Sequence, residues 1–168
     1  RAARPPAPAG DRAGVSLAAP KIPESVLVVI HTADLQVLLL ERADHPGFWQ
    51  SVTGSKDRID EPLTETCRRE VLEETGLDTA RFALTDLQLV NRYEIFKHWR
   101  GRYAAGVTHN TEHVFALELP APLPVAIAPR EHLAYQWLPW QEAAPRCFSW
   151  SNVKAIEEVA RRRLEARP

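Results

Sequence analysis

Three glutamates at i, i+3 and i+4 near the end of one helix-length segment constrain this chain more than any other feature. Residues 62–75 read PLTETCRREVLEET, which places Glu70, Glu73 and Glu74 on one face about a turn apart. Pro62 suits a first helical position, and Gly76 supplies a stop. Leu63, Cys67 and Val71 recur every four residues and form an apolar seam. The acidic face works against the helix that carries it. Like charges at these spacings repel by roughly 0.2–0.5 kcal/mol per pair, and a last turn favours cations. A solvated acidic face is the ordinary outcome of such a run, and Arg69 with Glu73 would make an ordinary i, i+4 ion pair. A cluster of hard oxygen donors also suits Mg²⁺, which binds carboxylates together with substrate phosphates.

The rest of the chain reads as strands around that helix. Residues 25–30 (SVLVVI) and 37–40 (VLLL) predict buried strands with a turn between, and His31 falls at a strand end. Residues 45–49 (HPGFW) read as a loop, and residues 50–53 as a short strand running into Gly54. After the helix, strands are expected over 82–90 and 92–98, then a loop over 99–110 with two glycines and several basic residues. Residues 111–119 (TEHVFALEL) alternate as a strand does, and residues 120–124 form a proline-rich bend. A strand over 131–137 would place Tyr135 and Trp137 on one face. Residues 151–164 read as an amphipathic helix with Val153, Ile156, Val159 and Ala160 inward. The order is α+β in class: a mixed sheet between helices.

With 168 residues, the chain has about one domain's worth of sequence. Residues 1–20, rich in alanine and proline, have little to pack and are expected to be a flexible tail; residues 21–168 are expected to form the domain. The net charge of −1 gives no ground for a nucleic-acid or anionic-membrane partner. No apolar run reaches membrane-spanning length, and no signal peptide is visible. Cys67 and Cys147 predict free thiols in a reducing, cytoplasmic setting.

From Glu61 to Leu77 the sequence resembles the Nudix box: a glutamate, seven residues, then R-E-U-x-E-E-x-G-U with U aliphatic, here Arg69 to Leu77. The box normally begins with a glycine separated from the first glutamate by five residues; six residues separate Gly54 from Glu61. The resemblance implies an α/β/α Nudix fold and hydrolysis of a diphosphate linked to another group. It makes Glu70 and Glu74 metal ligands, Glu73 a further ligand or base, and Arg69 the residue that orients the glutamates. The cofactor would be Mg²⁺, with Mn²⁺ as the alternative.

The likeness continues outside the box. Residues 25–30 (SVLVVI), 48–55 (FWQSVTGS), 93–98 (YEIFKH), 102–112 (RYAAGVTHNTE), 131–138 (EHLAYQWL) and 149–152 (SWSN) resemble the bacterial dihydroneopterin triphosphate diphosphatases, a folate-pathway branch of that family. That likeness implies a pterin triphosphate as substrate, with the pterin monophosphate and pyrophosphate as products. By matching position, Lys21, Arg42, Thr53, Tyr93, Glu94, Ile95, Phe96 and Ser149 would contact substrate. Glu131 would complete the metal site with Glu70 and Glu74. Tyr93 and Phe96 can stack on a flat ring, and Glu94 can accept from an amine and imine edge. Three alternatives stand beside this: a broader nucleoside triphosphate pyrophosphohydrolase, a dinucleoside polyphosphate or RNA 5′-end hydrolase, and a Nudix-like module that binds without catalysis.

Overall fold

The computed structural model describes residues 19–168. The expected tail lies outside the described residues apart from its last two positions. In chain order the elements are β1 (Glu24–Thr32), β2 (Gln36–Arg42), β3 (Trp49–Gln50), β4 (Val52–Ser55), α1 (Leu63–Thr75), β5 (Ala83–Glu94), β6 (His109–Leu119), β7 (His132–Pro139), α2 (Trp140–Arg146) and α3 (Trp150–Glu165). The strands form one seven-stranded mixed sheet. β1 and β6 run parallel at its centre, and the other pairings are antiparallel.

Both faces of the sheet are covered, which explains the unbroken apolar runs in β1 and β2. Side chains alternate between faces. Val26, Val28, Ile30, Leu38 and Leu40 pack with Cys67 and Val71 of α1. Leu27, Val29, Val37 and Leu39 pack with Ala143 and Ala144 of α2 and Ala155, Ile156 and Val159 of α3. Each fully buried aliphatic side chain contributes about 1.5–3 kcal/mol. The α/β/α arrangement expected from the sequence is therefore present. Tyr135 and Trp137 share the α1 face, as their spacing predicted.

Four local features differ from the sequence expectation. Residues 82–90 and 92–98 are not two strands: β5 is one strand to Glu94, interrupted between Asp86 and Leu89 by a bulge at which Gln88 takes φ 52°. The end of the second expected strand and the start of the expected loop form a 3₁₀ turn over Lys97–Arg102. α2 was not foreseen; it has seven residues and carries Pro145 in its last turn. Pro62, expected at the first helical position, is the extended residue before it. Gly76 ends α1 in a left-handed conformation, φ 74°, with its N–H on the Leu72 carbonyl. Both cysteines are buried free thiols. Among the described residues, no helix is long and apolar enough to cross a membrane.

Candidate active site

α1 lies across the sheet with its box residues turned toward β4. Arg69 is the hub. Its Nη1 donates to Glu70 Oε1 at 2.7 Å, and its Nη2 donates to Glu61 Oε1 and the Ser55 carbonyl, both at 2.9 Å. Its Nε stands 2.9 Å from Asp57 Oδ2. Glu61 is buried and also accepts from the Thr66 hydroxyl at 2.6 Å. Burial opposes its charge, but the Arg69 and Thr66 hydrogen bonds and the Asp57 N–H outweigh burial and hold the carboxyl down at about 2. Glu61 therefore serves the scaffold: it fixes Arg69, and Arg69 aims Glu70.

The extra residue between Gly54 and Glu61 is taken up in the loop. The Glu61 N–H closes a turn onto the Arg58 carbonyl at 3.1 Å, and Ile59 projects into solvent. Asp57 still reaches Arg69, so the longer loop keeps the hub intact. Gly54 itself is required by close approach. A Cβ there would lie 2.0 Å from Glu70 Cδ, so the Glu70 carboxyl passes over a position that only glycine leaves open.

Glu74 is as deeply buried as Glu61, 4% exposed. Its Oε1 bonds His132 Nε2 at 2.8 Å, while its Oε2 is buried without a hydrogen-bond partner. Donor atoms of Glu74, Glu131 and His132 all lie within 4.8 Å of one another. Burial and the neighbouring Glu131 charge push the Glu74 carboxyl well above the usual range. Burial, then the Glu74 charge, push Glu70 up to about 7 despite Arg69. Buried acids with acidic neighbours are favourable surroundings for a cation. An orphaned carboxylate oxygen among hard donors fits a divalent cation such as Mg²⁺. Of the three expected metal ligands, Glu74 and Glu131 are in this cluster and Glu70 is not, with His132 standing in its place. Glu73 is exposed and also outside the cluster, although its charge is felt by both Glu70 and Glu74.

A cavity of about 330 Å³ opens beside this acidic face. Its lining includes Lys21, Arg42, Thr53, Tyr93, Glu94, Ile95, Phe96 and Ser149, so all eight residues expected at the substrate come together. They arrive from five parts of the chain that only the fold joins. Gly54 lines it too, which links the cavity to Glu70. Arg42 sits at the β2–β7 bulge, held by Asp44 through two hydrogen bonds of 2.6 and 2.7 Å and by Gln50 Oε1 at 3.1 Å. Lys21, Arg42 and Arg102 gather on the lining. Burial, then the positive charge of Arg102, lower the Lys21 amine; an anionic ligand would relieve that repulsion. Ser149 caps α3, its Oγ accepting from the Asn152 N–H at 3.3 Å. Glu94 is exposed and paired with Arg100. A more open groove on the outside of α1, lined by Glu61, Glu65, Arg68, Arg69, Leu72 and Asp78, contains none of the Glu74 cluster.

Sequence reading missed His132, although it follows Glu131 directly. It also missed the polar floor of the cavity: Ser25, Asn110 and Glu112. Their signal was polar residues at inward positions of otherwise apolar strands.

A NUDIX domain model matches residues 21–165. The chain belongs to the Nudix family. Dihydroneopterin triphosphate diphosphatase of Escherichia coli (strain K12) is 48% identical over 141 residues, covering 82% of this chain and 92% of that protein. The enzyme of the same name from Haemophilus influenzae is 40% identical over 138 residues, covering 80% and 85%. The solved structure of the E. coli dihydroneopterin triphosphate pyrophosphohydrolase superposes with a TM-score of 0.75 at 47% identity, covering 82% of this chain and 94% of that one. The Nudix box, the sandwich and these relatives point the same way.

Proposed function

We propose that this Nudix protein hydrolyses dihydroneopterin triphosphate to dihydroneopterin monophosphate and pyrophosphate in folate biosynthesis, using Mg²⁺, with Mn²⁺ as the alternative cation. The observation that carries the reading is the junction at Gly54, where a cavity with three cations and an aromatic wall meets the buried carboxylates of α1. The names of the relatives at 48% and 40% identity support the substrate. The reading takes residues 21–168 as one catalytic domain. The two buried free thiols suit a reducing compartment, and the reaction is assigned to the cytoplasm.

In this reading Lys21, Arg42 and Arg102 receive the triphosphate. Asp44 and Gln50 hold the Arg42 guanidinium, which limits the freedom lost when phosphate arrives. Tyr93, Ile95 and Phe96 flank the ring, and Thr53 and Ser149 offer hydroxyls along the path to α1. Glu74 and Glu131, which the fold brings together, would hold the cation with Glu70, which Arg69 aims; His132 fixes the Glu74 carboxylate through Oε1. A bound divalent cation supplies charge neutralisation on the phosphates and a water of lowered pKa. Glu131, beside Glu74, would be placed to accept a proton from the attacking water, and Glu73, outside the cluster, is the alternative base. Arg69 keeps Glu70 aimed throughout.

Product analysis tests the reaction. With Mg²⁺ and dihydroneopterin triphosphate, the expected products are pyrophosphate and the pterin monophosphate in equal amounts. Stepwise release of orthophosphate, or no turnover with either cation, would contradict the proposal.

A further inference from the structure

The cavity floor contains a buried acid that the reaction above does not use. Ser55, Ser25, Glu112 and Asn91 form one row across β4, β1, β6 and β5. Residues paired across a ladder share a face, and this row lies on the α3 side with Leu27 and Val114 of the next inward positions. Asn110, two residues before Glu112 on β6, shares that face and pairs with Tyr93. Ser25, Tyr93, Asn110 and Glu112 all line the cavity.

Glu112 is 4% exposed and Asn110 2%. Among the described residues, no cation contributes to the environment of Glu112; Ser151 and Asn91 are its hydrogen-bond neighbours, the latter at a long 3.5 Å. Burial of a carboxylate without a counter-charge is strongly unfavourable unless donors reach it. Asn110 spends its amide N–H groups on Ser25 Oγ at 2.8 Å and Tyr93 Oη at 2.9 Å, which leaves its Oδ1 buried and unpartnered. The floor thus presents one acceptor without a donor, Asn110 Oδ1, beside a buried carboxylate held only by neutral groups. Glu94, by contrast, is exposed and engaged by Arg100.

A ligand that satisfies such a floor has a flat edge with adjacent N–H donors. A 2-amino-4-oxo pyrimidine ring has that edge, a ring N–H beside an exocyclic amine, and a carboxylate can accept both at once. An adenine edge pairs its amine with a bare ring nitrogen, whose lone pair would face the carboxylate. We propose that Glu112 is the specificity-determining residue of this site, accepting two N–H donors from the 2-amino-4-oxo ring, with Asn110 Oδ1 as a neighbouring acceptor. This rests on the substrate class given above and sharpens it: the deep acid Glu112, not the exposed Glu94, reads the ring.

The test compares kcat/KM for dihydroneopterin triphosphate and dATP, with Mg²⁺, in the wild type, Glu112→Gln and Glu94→Gln, with Tm as the check on folding. Glu112→Gln should lower the pterin-to-dATP ratio by at least ~10²-fold, carried mainly by KM, because the amide presents a donor to a donor. Glu94→Gln should change it by less than ~10-fold. An unchanged ratio in a folded Glu112→Gln overturns the proposal, as does a collapse confined to Glu94→Gln. If Glu112→Gln does not fold, the wild type decides between GTP and ITP, which differ only in the 2-amine. A preference of ~10-fold or more for GTP supports Glu112, and indifference overturns it. Wild-type indifference between the pterin and dATP would instead sink the substrate reading, and the GTP and ITP arm would still decide Glu112.

Discussion

The acidic face of α1 and the floor made by β1, β5 and β6 both bury carboxylates, but they bury them differently. On α1, Glu70 and Glu74 are raised by burial and by acidic neighbours, and Glu74 keeps a buried oxygen without a partner. On the floor, Glu112 is raised chiefly by burial, and its neighbours are neutral amides and hydroxyls. Crowded acids call for a cation. A solitary acid among neutral groups calls for N–H donors. The cavity joins the two at Gly54, so one surface addresses the phosphates and the other the ring.

Substitutions can break this contrast. The largest effect is expected on α1: Glu70→Gln or Glu74→Gln keeps the shape, removes charge from the metal site, and should lower kcat by at least ~10²-fold with the fold intact. Near-normal turnover in either variant would remove that residue from the metal site. Gly54→Ala should come next, because its Cβ would meet the Glu70 carboxyl at 2.0 Å and must displace it. A fall in kcat of about 30-fold is expected for a shift of this kind; an unchanged kcat would show that Glu70 need not pass there. Glu131→Gln should be milder, roughly 10-fold, with a raised Mg²⁺ requirement. An unaltered Mg²⁺ titration would exclude it as a ligand.

The smallest effect on chemistry should come from Glu61→Gln, which acts on the scaffold. Its folded carboxyl is held at about 2, below the ordinary value of 4.5. A depressed acid stabilises the fold above the unfolded pKa, and that stability is lost as pH falls through the folded value. Glu61→Gln should therefore cost about 2 kcal/mol at pH 7, and the difference from wild type should close between pH 4.5 and 2. A stability gap that does not change with pH would mean that Glu61 acts without its charge.

The helix of this site was legible because its signals are local. The box glutamates, the seam of Cys67 and Val71, and the stop at Gly76 all lie within one continuous segment, and each has a spacing rule. β1 and β2 were legible as unbroken apolar runs because helices cover both faces of the sheet. The floor was not legible in the same way. Ser25, Asn91 and Glu112 meet through register between strands far apart in sequence, and no local pattern encodes register. His132 was missed because it follows the better-marked Glu131, and its partner Glu74 is 58 residues away. α2 escaped because it is short and contains Pro145, while β5 was split at the polar Asn91, which in the structure pairs with Glu112 inside one continuous strand.

The central claim is that the cavity and the α1 carboxylates serve one substrate. The most direct test is pyrophosphate release from dihydroneopterin triphosphate, dATP, GTP and a dinucleoside polyphosphate, each with and without Mg²⁺. The account predicts the highest kcat/KM for the pterin and no turnover of any of them without the divalent cation. Equal or better turnover of dATP or the dinucleoside polyphosphate would contradict it, leaving the metal chemistry in place and removing the pterin from the cavity.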